Sequence, residues 1–121
     1  MVLVDTSVWI RFFADQPPYG GQLQELLRRR QVAGHDLVFG ELLMGDPGGL
    51  RALVANYERL PKAAGVPHED VVAFVHHRRL HGRGIGWIDV HLLASAVAGN
   101  HQLWTADSRF ASIARQLGIA Y

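Results

Sequence analysis

The sequence predicts an α/β fold: a central, mostly parallel sheet with helices on both faces, three layers deep. Two short apolar runs, Met1-Val2-Leu3-Val4 and Gln102-Leu103-Trp104-Thr105, read as strands buried on both faces. Helical patterns fill the chain between them. The 121 residues hold neither a repeat nor a linker, so residues 1–121 are expected to form a single domain. A chain of this size buries roughly two-thirds of its unfolded surface, enough for a core without staples. Its 49% hydrophobic and 19% charged residues belong to a folded chain rather than a disordered one.

The composition excludes other classes. With no Cys, there is no disulfide scaffold, no zinc-thiolate site and no cysteine nucleophile. The same absence fits a reducing, cytoplasmic setting. No apolar run approaches the ~18 residues of a membrane span. No basic region precedes the first apolar stretch, so no signal peptide is expected. A formal net charge of +1 names no partner.

Each element follows from local pattern. After the first strand, Thr6 or Ser7 can cap a short helix through Phe13. Pro17-Pro18-Tyr19-Gly20-Gly21 reads as a break. Leu23, Leu26 and Leu27 predict a helix over 22–30, with Arg28, Arg29 and Arg30 at its negative end. Val32-Ala33 is a short extended piece, followed by a helix over 36–44 that the 45–49 segment ends. Another amphipathic helix is expected over 50–60, then a short strand within 61–66. Pro67-His68-Glu69-Asp70 opens a further helix, and Gly82, Gly84 and Gly86 form a loop. Ile88 to Ala98 is an Ala/Leu-rich helix stopped by Gly99-Asn100. Asp107 or Ser108 caps a last helix over 110–117, and Ile119-Ala120-Tyr121 could add a final strand.

Four of the 11 acids stand in apolar settings. Asp5 ends the first strand, where parallel α/β sheets bind ligands; capping the next helix explains it equally well. Glu41 has Leu37, Val38, Leu42 and Met44 around it, so it shares the buried face of its helix or reaches water from that face's edge. Asp89 lies in a first helical turn, where the dipole favours an acid. Leu92, Leu93 and Ala96 follow at helical spacing, and the dipole poorly explains an acid on that core side. Asp107 follows the second strand, and taken alone it reads best as an N-cap. Brought together, the four carboxylates would repel one another unless a cation compensated. All-oxygen ligands without Cys suit Mg²⁺ or Mn²⁺ rather than Zn²⁺. Such a centre can activate water for in-line displacement at phosphorus.

At these residues the sequence resembles PIN domains of the VapC toxin family. The matching stretches are Val4-Asp5-Thr6-Ser7-Val8-Trp9-Ile10, Phe39-Gly40-Glu41-Leu42 and Gly82-Arg83-Gly84-Ile85-Gly86-Trp87-Ile88-Asp89. Leu92-Leu93-Ala94-Ser95-Ala96 and Leu103-Trp104-Thr105-Ala106-Asp107 complete them, in an order that covers nearly the whole chain. The resemblance implies a three-layer α/β/α ribonuclease, the toxin of a toxin–antitoxin pair, that cleaves RNA with Mg²⁺ or Mn²⁺ and so inhibits growth and translation. It implies that Asp5 and Asp89 are the principal metal ligands, with Glu41 completing the site and Asp107 supporting the first or a second metal. Thr6, Ser7 and Thr105 would hydrogen-bond carboxylates or bound water, although helix capping explains their hydroxyls as well. A homodimer and a cognate VapB-like antitoxin are implied as partners.

Other features carry less. Arg83, in the glycine loop, is a candidate for gripping RNA phosphate or a solvated loop residue. His77 and His81 have metal-ligand spacing only if one helix reaches His81. Trp9, Phe12 and Phe13 read as core or as a partner-binding surface. Two rival functions remain open on the residues alone. One is an acid-cluster phosphohydrolase or phosphotransfer domain with Asp5 as nucleophile. Against it, no second aspartate follows two residues on, and the single lysine is Lys62. The other is a non-catalytic RNA- or protein-binding module, which would not need all four acids.

Overall fold

The computed structural model describes residues 1–46 and 51–121, with backbone alone at 51–54. Strands β1 (Val2–Val4), β2 (Val32–Ala33) and β3 (Gln102–Trp104) form a parallel sheet in the order β2-β1-β3. Leu3 pairs with Ala33 on one side and Leu103 on the other. β1 is therefore central, and its three residues are all buried. This is why it is a continuous apolar run rather than an alternating one.

Seven helices surround the described sheet: α1 (Thr6–Phe13), α2 (Tyr19–Arg28), α3 (Asp36–Met44), α4 (Arg51–Glu58), α5 (His68–Arg78), α6 (Trp87–Ala98) and α7 (Ser108–Gln116). Parallel bridges Gly34–Lys62 and Leu103–Ala120 extend the ladder at its two edges. The chain thus steps from β1 to β2 to Lys62 in one direction, then crosses back to β3 and on to Ala120. Because such crossovers are right-handed, α1–α4 lie on one face and α5–α7 on the other. The helix contacts agree: α1 meets α2 and α3, α3 meets α4, and α5 meets α6. The strand order reverses beside β1, so the crevice at the carboxyl ends of β1 and β3 is the switch point where such sheets take ligands.

Several element ends differ from the sequence reading. The second helix starts at Tyr19, inside the expected break, with Pro18 as its N-cap and Tyr19 stacked on Trp104. Of the three arginines only Arg28 is helical; Arg29 is the C-cap and Arg30 has a positive φ of 55°. The strands expected in 61–66 and 119–121 are reduced to the single bridges at Lys62 and Ala120. The start expected for the fourth helix at Leu50, and residues 47–49 of the turn before it, lie outside the described residues. α5 ends at Arg78, and Arg79 turns left-handed, so His77 and His81 do not share a helix and the metal-ligand reading of that pair fails. Trp9 is core, 2% exposed, and meets Phe12, Phe13 and Tyr57 edge-on or tilted.

One buried polar node ties the two faces together. His35, 3% exposed, caps α3: its Nδ1 accepts from Leu37 N at 3.1 Å. That fixes the proton on Nε2, which donates to Ser95 Oγ on α6 at 2.9 Å. Tyr57 Oη of α4 accepts from His35 N at 2.8 Å and donates to His35 O at 3.2 Å. Gly34 precedes the node because a Cβ there would come within 3.2–3.4 Å of Lys62, Tyr57 and Leu60. Burial holds the His35 imidazole below its ordinary pKa; nearby Asp36 opposes this and His91 adds to it. Burial likewise pushes the Tyr57 phenol well up, so it stays a donor.

Protonating His35 would also turn Nδ1 from acceptor to donor against an N–H. As pH falls below about 6.5 the unfolded chain therefore takes up a proton before the folded one does, and stability declines until the folded imidazole titrates as well. His91 and His101, both held low chiefly by burial, act in the same direction. His35→Asn keeps a capping oxygen but neither titrates nor reaches Ser95. Denaturant unfolding at pH 7.5 should show it about 1–3 kcal/mol less stable than wild type. Its further loss on going to pH 5 should be smaller than that of wild type; an equal loss would exclude His35 as the titrating group.

Candidate active site

The carboxyl edge of the sheet gathers the acids. Asp5 immediately follows β1, and its backbone N–H donates to Trp104 O at 2.8 Å, locking the exits of β1 and β3 together. Asp5 O accepts from Val8 N, so its backbone starts α1, but its side chain makes no capping bond. The capping explanation of this carboxylate therefore fails. The carboxylate is 6% exposed, and its Oδ2 accepts from Ser7 Oγ at 2.7 Å and Thr105 Oγ1 at 2.8 Å. Each hydroxyl accepts a backbone N–H in turn: Ser7 from Ala106 at 3.0 Å, Thr105 from Asp107 at 3.1 Å. Because a carboxylate only accepts, both hydroxyl protons go to Asp5, and Ser7 Oγ and Thr105 Oγ1 lie 3.2 Å apart beside it. These residues hold a carboxylate; neither Thr6 nor Ser7 caps a helix.

Glu41 stands half-buried on α3, opposite α1, and its Oε1 accepts from Thr6 Oγ1 at 2.7 Å. Asp89, in the first turn of α6, accepts from Gly86 N through Oδ2 at 2.9 Å. This is the carboxylate half of a capping box, so the dipole explanation holds for one oxygen only. Asp107 caps α7 through Oδ1, accepting from Phe110 N at 3.0 Å. The expected N-cap is real there too, and again it uses one oxygen.

The other three acids bear on Asp89. Burial pushes the Asp89 carboxyl above its ordinary value; the Gly86 N–H opposes this, and the negative charges of Asp5, Glu41 and Asp107 push it further up. None of the four is ion-paired to a described basic residue. Each accepts hydrogen bonds from the protein framework through one oxygen and keeps the other without a hydrogen bond from a described residue: Asp5 Oδ1, Glu41 Oε2, Asp89 Oδ1 and Asp107 Oδ2. Among the described residues no three His, Asp or Glu side chains are close enough together to form a finished metal cage. The donor chemistry nevertheless fits a hard divalent cation: oxygen alone, anionic, oriented by hydroxyls and amides, with mutual repulsion that a cation would relieve.

The other residues singled out from sequence sit at the margin. Arg83 is on the glycine loop, where its Nη2 donates to Gln116 Oε1 of α7 at 2.6 Å. Phe12 and Phe13 are partly buried against the core. Sequence reading passed over His35, Ser95 and Tyr57, which brace α3, α4 and α6 behind the acids. The available signals were a polar Ser95 inside the apolar 92–96 run and a His directly before a helix start.

Known proteins share this plan. Residues 2–116 match the PIN domain family. Ribonuclease VapC32 of Mycobacterium tuberculosis, from strain CDC 1551 / Oshkosh and from strain ATCC 25618 / H37Rv, is 38% identical over 124 residues, covering 99% of this chain and 95% of the relative. The crystal structure of PAE2754 from Pyrobaculum aerophilum superposes with a TM-score of 0.56 over 92% of this chain and 77% of that one; at 16% identity this likeness concerns the fold alone. Fold, matched span and relatives agree: the chain belongs to the PIN domain family and, within it, to the VapC group.

Proposed function

We propose that the chain is an Mg²⁺- or Mn²⁺-dependent endoribonuclease, the toxin of a toxin–antitoxin pair. The observation that carries this is the hydrogen bonding at the carboxyl edge of the sheet, where hydroxyls and amides hold one oxygen each of Asp5, Glu41, Asp89 and Asp107 and leave the other over. The 38% identity to a protein named a ribonuclease supports it. Asp5 and Asp89 are the principal ligands, Glu41 completes the set, and Asp107 serves the same or a second ion. When bound, the cation supplies the Lewis acidity for activating water and for neutralising charge at phosphorus. The chain supplies orientation. Ser7 and Thr105 fix the Asp5 carboxylate plane, Thr6 fixes Glu41, and Gly86 N–H fixes Asp89, so each of these carboxylates would be held with one oxygen available to the cation. Arg83, whose only hydrogen-bond partner among the described residues is the neutral Gln116, keeps its charge for RNA phosphate.

The partners belong to the same proposal. Ile10, Leu43 and Met44 are exposed, at 56%, 50% and 86%. A cavity of about 260 Å³ opens between α1 and α3, lined by Ile10, Phe13, Leu42 and Glu41 itself. An amphipathic segment of a VapB-like antitoxin seated there would reach Glu41 and block the site. A homodimer and a cytoplasmic location, where RNA is met, complete the reading. Among the described residues no helix is long and apolar enough to cross a membrane.

Purified Asp5→Asn should lose RNA cleavage by at least about 100-fold with unchanged circular dichroism, and EDTA should silence the wild type until Mn²⁺ or Mg²⁺ is returned. Undiminished cleavage by Asp5→Asn would sink the assignment. Thr105→Val keeps shape but frees Asp5 and leaves Asp107 N–H unpaired. Calorimetry should find its Mn²⁺ affinity about 10- to 100-fold weaker, with RNA cleavage falling in step.

A further inference from the structure

Trp87 is 46% exposed at the first position of α6, two residues before Asp89. Nearly half of the indole is therefore open to solvent beside the acidic edge. His68 of α5 and His91 of α6 flank it, with ring centroids at 5.5 and 4.9 Å and planes at 58° and 88° to the indole. Both rings brace it, and neither lies parallel, so no described ring already stacks on its faces. Beside it a cleft of about 160 Å³ opens between the end of α5, the glycine loop and α6. Trp87, Leu80, Ile85 and Val90 give it apolar walls, and His81 and Gly86 add polar groups. Gly82 and Gly84 shape the loop with φ of +69° and +82°, values that side-chain-bearing residues rarely adopt.

We infer that this cleft seats one unpaired nucleobase of the RNA strand, close to the scissile phosphate. The inference rests on the ribonuclease reading and adds a subsite to it. Size decides the ligand: the cleft falls well short of the roughly 300–1,000 Å³ that encloses a whole drug-sized molecule, but suits one planar heterocycle. An aromatic wall supplies a stacking face, and the exposed His81 imidazole can meet a base edge. Duplex RNA cannot present a base this way, so the strand must be single at that point. The surroundings favour the attached phosphates. Arg83 and Arg109 border the same loop, Arg109 so closely that a Cβ on Gly84 would lie 2.8 Å from its Nη1. Gly86 joins the cleft to the acids, because it lines the one and donates its N–H to Asp89 of the other. A stacked base would thereby set the register of the strand against Asp89.

The test uses the full chain carrying Asp5→Asn, so that RNA persists, with single-stranded homopolymers of A, C, G and U followed by fluorescence anisotropy. The parent should prefer one or two of the four. Adding Trp87→Ala should cost about tenfold in affinity for the preferred polymer and flatten the preference, while Trp87→Phe should restore most of both. Thermal melting, which an exposed side chain should hardly move, checks that each variant is folded. Unchanged affinities and preference in the Trp87→Ala protein would overturn the subsite alone, provided the wild type cleaves RNA with Mn²⁺. A Trp87→Ala protein that binds RNA normally but changes its mass in light scattering would assign the indole to a contact between copies instead. If the parent binds no RNA and the wild type cleaves none, the ribonuclease reading falls and takes the subsite with it.

Discussion

The buried carboxylate of Asp5 is the interaction on which the carboxyl edge of the molecule depends. A charge 6% exposed, at the exit of the most buried strand, needs compensation. No described basic residue provides it. Two hydroxyls do so in part, and each is held by a backbone amide of the turn after β3. The turn after β1 and the turn after β3 are thus one polar unit, closed further by Asp5 N–H on Trp104 O. The compensation is left incomplete toward the side where Asp89, Glu41 and Asp107 also present free oxygens. A fold built for stability alone would place a cation of its own there or an apolar residue; this one concentrates negative charge.

Holding four like charges near one another requires stiff supports, because repulsion would otherwise move the helices apart. β1 and β3 supply two of the mounts. The helices carrying Glu41 and Asp89 lie on opposite faces of the sheet and need a tie across it. His35 is that tie: it caps α3, reaches Ser95 on α6 and is clamped at its backbone by Tyr57. All three side chains are almost wholly buried, so their hydrogen bonds exchange little with water and have few alternatives. The same node makes acid a structural hazard, since the proton that the imidazole would gain has no acceptor at Leu37 N–H.

How much of this the sequence disclosed varies from residue to residue. β1 and β3 were legible because both-sided burial forces an uninterrupted apolar run, and α6 because Gly99-Asn100 stops an Ala/Leu-rich pattern. Boundaries were less so. Tyr19 and Gly20 begin α2 because tertiary contacts outweigh glycine's weak propensity: Tyr19 stacks on Trp104, and Gly20 is buried against Asp15. The outer strands near Lys62 and Ala120 shrink to single bridges, a matter of edge pairing that periodicity does not encode. Among the acids, Asp107 looked like a cap and is one, yet its charge still acts on Asp89. The hydroxyls of Ser7 and Thr105 were ambiguous because capping and carboxylate binding need the same residue types. Which occurs depends on a contact between residues nearly a hundred positions apart.

The near-neutral charge of the chain also takes on a different meaning. Its 11 acids nearly balance 12 Lys and Arg, but four of those acids converge on one edge. Away from that edge seven acids stand against the twelve bases, and a divalent cation shared among the four would offset two of their charges. The rest of the surface is then distinctly cationic, including Arg83 and Arg109 beside the glycine loop. A polyanion approaching such a molecule is attracted broadly and repelled locally, at the acidic edge. If a cation binds there, as proposed, it lowers that local barrier, and ion binding and RNA binding should then be linked: each favours the other by the same free energy. On the proposed reading, such a protein would hold RNA loosely without a cation and bring phosphate to the carboxylates only with one.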